Sequence, residues 1–173
     1  MNFELLDSMT PEEANAALDR FVGIEKLAIE AMRGLGCADG FLHYGLESLA
    51  ENLKWFLTQV RIKNVPIPLT EPEWVREGHK KGIQEFEEDC KPTVLHAGYF
   101  LGESFVQANK SLKWAIGNPE SIHKNMPVVK GFRLGHELPA LMVVENLFLR
   151  ILADGAAFAD IDMMIRTWRS RLP

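Results

Sequence analysis

Leu95-His96-Ala97-Gly98-Tyr99-Phe100-Leu101-Gly102-Glu103-Ser104-Phe105-Val106, with Trp114 eleven residues after Glu103, is the stretch around which the rest of the chain must be arranged. It is an almost wholly apolar helical run carrying one carboxylate and two glycines at i,i+4. Gly98 and Gly102 strip one face of side chains, so another backbone can approach closely there. Glu103, if buried, needs a partner. The run therefore reads as the centre of a fold.

The 173 residues suffice for one domain with a real core, residues 1–173, and are too few for two comfortable ones. Apolar residues make up 47% and charged residues 25%, the composition of a soluble globular protein. Nineteen Lys and Arg against 24 Asp and Glu give a net charge of -5, which argues against nucleic acid and favours a basic partner. The opening Met1-Asn2-Phe3-Glu4-Leu5-Leu6-Asp7 is acidic and unlike a leader, and no apolar run approaches the roughly 18 residues of a membrane span. Cys37 and Cys90 have no CxxC spacing and no Cys/His cluster around them, as expected of reduced thiols in the cytoplasm.

Outward from the central run, Thr10-Pro11-Glu12-Glu13 has the chemistry of a capped helix start. Apolar residues from Ala14 to Ala31 carry one helix on to Gly34 and Gly36. Asp39-Gly40 marks a turn. Leu46, Leu49, Leu53, Phe56 and Val60 form the cleanest amphipathic stripe, and Asn64-Val65-Pro66-Ile67-Pro68-Leu69 must be extended because each proline restricts its predecessor. Thr70-Glu71-Pro72-Glu73 repeats the helix-start pattern, predicting a highly charged surface helix to about Asp89 that carries Trp74. After Asn109 the period becomes two. Residues 112–116 and 127–134 read as paired strands around the long connection 117–126. Pro139 opens a further helix that ends at Asp154-Gly155, and Ile161 to Trp168 supplies the last. The expected fold is α+β: a mostly helical single domain of about five to six helices with a small antiparallel hairpin near residues 111–134.

The Tyr99-Phe100-Leu101-Gly102-Glu103 helix, the strand Trp114 and the step from Arg133 to Pro139 into an apolar helix together resemble bacterial domains often encoded near polymorphic or contact-delivered toxins. Some of those domains are immunity proteins. The resemblance runs from about Gly45 to Trp168 and departs at Asn109-Lys110-Ser111-Leu112-Lys113, where such domains tend to have glycines. It implies a protein-binding role such as neutralisation of a cognate toxin, and assigns no catalytic residue.

Several residues carry chemistry worth weighing. Glu103 reads either as a general base or ligand-gripping carboxylate, with His96 two turns away, or as a structural acid held by Arg133, Arg150 or backbone donors of the hairpin. Structural ion pairs outnumber catalytic acids, so the second reading is adopted, with Gly98 and Gly102 also serving the fold and Trp114 a further structural candidate. His43 with Glu47 and Glu120 with His123 have ligand spacing, yet no local cluster offers the nitrogen and sulfur that tetrahedral zinc requires, so neither metal nor cofactor is expected. Gly135-His136-Glu137 suits proton transfer or, more commonly, capping of the helix from Pro139, with Glu137 at the positive end of its dipole. No nucleophile elbow or phosphate loop occurs.

The expected function is thus binding of another protein, without catalysis. The surface is placed at Glu85, Glu87, Glu88 and Asp89, whose negative field would steer a basic toxin, and at Asn118, Glu120 and His123 in the long loop. The alternatives are a small enzyme in which Glu103, His96 and His136 converge in a pocket, and a structural homo-oligomer.

Overall fold

The computed structural model describes residues 8–37, 43–78, 82–155 and 157–173. The opening heptapeptide and the Asp39-Gly40 turn lie outside them. Helix α1 is Pro11–Val22 and α2 Glu25–Gly34; α3 is Leu49–Thr58. Strand β1 (Ile62–Val65), helix α4 (Glu73–Gly78) and strand β2 (Ile83–Phe86) follow, then a 3-10 turn at Glu88–Cys90. The central helix α5 is Lys91–Ala108; strands β3 (Lys113–Ile116) and β4 (Pro127–Lys130) precede a 3-10 turn at Arg133–Gly135 and helices α6 (Ala140–Asp154) and α7 (Ala159–Arg169). The result is an α+β domain with two separate two-stranded antiparallel sheets.

Helix α5 is apolar on every side because it is enclosed on every side. Its residues 97–105 are all buried. Helix α6 packs along it most extensively, α3 lies against it, and α7 crosses α3. The closest approach is at Gly98, where a Cβ would come within 2.7 Å of the Leu141 Cα. Leu101, Phe105, Phe148 and Ile161 meet in the core fully buried, each stabilising by roughly 1.5–3 kcal/mol relative to exposure. Helix α1 packs on the β3–β4 hairpin, and the β1–β2 hairpin packs on α6.

The start of α1 is a full capping box: the Glu13 N–H donates to Thr10 Oγ1 at 3.3 Å, and the Thr10 N–H donates to Glu13 Oε2 at 2.8 Å. Gly155, in the left-handed region at φ 68°, closes α6 as its sequence predicts. Three expectations fail. The strand expected over 127–134 stops at Lys130, because Gly131 turns at φ 107° and Arg133–Gly135 is a 3-10 turn. The first helix does not run unbroken to Gly34; it caps at Gly23 and resumes at Glu25. The charged helix to Asp89 ends at Gly78, and Ile83–Phe86 is a strand paired with Ile62–Val65. Gly82 is the reason. It adopts φ 86°, with the Val65 carbonyl oxygen 2.7 Å from where a Cβ would sit, a conformation no helix continues through. Gln84 and Phe86 then face inward and Ile83 and Glu85 outward.

Candidate functional site

Two polar centres are built on this frame, one buried and one at the surface. The buried one is Glu103, 7% exposed on α5. Its Oε2 accepts from the Trp114 indole Nε1–H at 2.9 Å and its Oε1 from Gln107 Nε2 at 2.6 Å. The Trp114 ring lies directly over Gly102, where any Cβ would collide with it. Tyr99 stacks on that ring at 6.0 Å and 7°, and Phe21 meets it edge-on. Burial, and then the Glu103 charge, push the Tyr99 hydroxyl far above its usual range, so it stays neutral. The glycine pair thus does two jobs, admitting a backbone at Gly98 and an indole at Gly102.

Glu103 does fix helix to hairpin, but not through the partners expected of it. Arg150 pairs with Asp160 at 2.8 Å, and Arg133 is exposed, its N–H donating to the Arg171 carbonyl at 2.9 Å. An indole N–H can satisfy a carboxylate without bringing a second charge into the core, and this is what the fold uses. Nor do Glu103, His96 and His136 converge. Seven helical residues separate His96 from Glu103 by about 10 Å along the axis. His96 is half-buried, with burial lowering its pKa, and His136 is exposed. A cavity of about 850 Å³ between β2, α5 and α6 is lined by Phe86, Val94, Leu95, Leu141, Met142 and Glu145 among others, and by none of the three. Burial there pushes the Glu145 carboxyl up.

The surface centre is Glu137. It does not cap α6, which begins at Ala140 after the N-cap residue Pro139 and has no side-chain cap. Instead its carboxylate turns to the loop 117–126. It accepts from the Asn118 N–H at 3.1 Å and from the Lys130 ammonium at 2.9 Å, and lies 3.9 Å from His123 Nδ1. Partial burial pushes this carboxyl up, but Lys130 and the Asn118 N–H outweigh that and hold it below the usual range. Inside the loop, Asn118 Oδ1 accepts from the Glu120 N–H at 3.0 Å and Ser121 Oγ from the His123 N–H at 3.1 Å. Gly117 sits so tightly under the His123 carbonyl that no side chain fits. The loop is therefore fixed by its own polar groups, with Asn118 and Glu120 exposed and His123 half-buried. The sequence reading gave Glu137 to a helix cap and missed its role in the loop because its partner there lies 19 residues away.

The acids of the other expected surface are distributed differently. Glu85 stands exposed on β2. Arg61 spans Glu87 and Asp89 at 2.9 and 2.6 Å, and Lys91 holds Glu88 at 2.7 Å, so their negative field is largely neutralised where it arises. Glu87, Asp89 and Cys90 bring ligand atoms within 4.8 Å of one another. Arg61 occupies both carboxylates, however, and burial raises the Cys90 thiol pKa, so the group is already closed by protein contacts. Among the described residues His43 and Glu47 precede α3 rather than sharing a helical face, and Glu120 and His123 lie in the loop. No helix among the described residues is long and apolar enough to cross a membrane. No family model matches the chain, and no curated protein and no solved structure is similar to it.

Proposed function

We propose that this protein is a non-enzymatic protein-binding domain and that the loop 117–126 is its recognition element. The observation that carries this reading is the construction of that loop. A hairpin can be closed by about two residues, whereas β3 and β4 are joined by the ten residues 117–126. Those residues are fixed by the Glu137 network and leave Ile122 82% exposed. An apolar side chain held out on a rigid loop is ready to bind, because little freedom is lost when it docks. The resemblance to immunity-associated domains names the partner to examine first, a toxin encoded beside this gene, and the net charge of -5 is compatible with a basic one. Surface-based kinetics against that neighbouring protein test the reading. A one-to-one complex that Ile122→Asp weakens at least tenfold supports it, whereas no complex at micromolar concentrations removes it.

A further inference from the structure

The segment from Lys130 to Glu137 is a second loop, closed at its base by the Val129–Leu138 bridge and by the Lys130–Glu137 ion pair. At its tip Leu134 is 95% exposed and adopts φ 57°, ψ 21°, between Arg133 and a left-handed Gly135. A leucine seldom takes that conformation, and a side chain this exposed has little packing to offset it. The loop is anchored from behind. Phe132 meets the rings of Phe105 and Trp168, and the Arg133 N–H is bound to the Arg171 carbonyl.

Apart from Glu137, which Lys130 pairs at the base of the loop, the charged residues on the segments 110–113, 130–137 and 169–171 are cations. Lys113 stands directly opposite Lys130 across the hairpin, and Gly131 packs on the Ser111 carbonyl, which brings Lys110 to the same end. Arg171 lies 4.5 Å over the Trp168 ring. Among the described residues Lys110, Lys113, Arg133 and Arg171 form no ion pair, and neither do Arg166 and Arg169 on α7 just before Arg171; Arg20 and Arg76, elsewhere in the fold, are likewise without one, whereas Lys54, Arg61, Lys63, Lys91 and Arg150 are paired. In a protein of net charge -5, Arg133 and Arg171, both without an ion pair, meet beside Leu134, the most exposed leucine among the described residues.

We propose that the loop 130–137 is a docking element for an acidic protein surface, with Leu134 entering an apolar site that is bordered by carboxylates. This rests on the protein-binding reading and gives the partner's chemistry at the end of the domain that Glu137 organises. Contact-range charge outweighs the net charge because salt screens over about 8 Å at physiological strength. Nucleic acid is less favoured: single strands are held by stacking on aromatic rings, and here Trp114 is committed to Glu103 and Trp168 is covered by Arg171. An anionic bilayer is also less favoured, since one leucine gives it little apolar surface to take up.

The test is a titration of the full isotope-labelled chain with a peptide of alternating glutamate and phenylalanine, in parallel with an oligoadenylate and with phosphatidylserine vesicles. The peptide is expected to shift the amides of residues 110–113, 131–136 and 169–171. Leu134→Ser and Arg133→Glu, both at exposed positions, should each weaken it at least tenfold with thermal unfolding unchanged. Tighter binding of the oligonucleotide or the vesicles, shifts confined to other regions, or unaltered affinity in Leu134→Ser overturns the proposal. Absence of peptide binding also overturns it, while the Ile122-dependent association described above decides the broader reading separately.

Discussion

Trp114 lies across Gly102 and donates its indole N–H to Glu103, the next residue of the same helix, at 2.9 Å. The glycine makes room for the ring, and the carboxylate fixes its angle. One contact thereby sets where the β3–β4 hairpin stands on α5, and with it the position of both loops at that end.

Removing either half should cost stability. Glu103→Ala leaves the indole N–H and Gln107 without their acceptor and is expected to destabilise by about 1–3 kcal/mol. Gly102→Leu and Gly98→Leu force the Trp114 ring and the Leu141 backbone outward, at a cost of about 1–3 kcal/mol or more. Chemical denaturation monitored by tryptophan fluorescence measures all three.

The central helix could be read because its lack of polar residues leaves it no place but the interior. The capping box at Thr10, the Gly155 stop and the β3–β4 hairpin were legible for equally local reasons. The β1–β2 hairpin was not. Its pairing joins residues 62–65 to 83–86 across a charged segment, and the two cues to it were Gly78 and Gly82. At the candidate site, the length of the 117–126 loop was visible in the sequence, but the acid that holds it was assigned to a helix cap two residues away. Long-range partners such as Glu137 with Asn118, or Arg61 with Glu87 and Asp89, leave no periodic trace.

Glu137 has a depressed pKa in the folded state, so its contribution is present above the unfolded value of about 4.3 and is lost as pH falls through the folded value. Hydrogen exchange of the Asn118 amide should accelerate in that acid window relative to other amides. Glu137→Gln should raise it at least tenfold at neutral pH, with the core amides of α5 unaffected. Equal protection in the variant would show that the loop is held by other means.

His96 gives a second pH dependence, of opposite chemistry. Burial lowers its pKa, so the unfolded chain binds the proton first. Stability should fall as pH drops below about 6.5 and level off below the folded value. His96→Gln should flatten this part of the profile in urea denaturation between pH 5 and 7. A variant with the wild-type slope would assign the dependence to another group.

Trp74, 76% exposed on α4, lies on an element that the Glu137 network does not reach. Trp74→Ser should therefore leave both stability and association with the neighbouring protein unchanged within about 0.5 kcal/mol, the usual range for an isolated surface change. Kinetics beside the Ile122→Asp variant provide the comparison.

The most direct measurement is hydrogen exchange of the full chain with and without the protein encoded beside its gene. Recognition through the fixed loops predicts that residues 117–126 and 130–137 gain protection on complex formation while the β1–β2 hairpin and residues 85–89 do not. Protection centred on 85–89 or on the groove between α5 and α6, or no change at saturating partner, would contradict it.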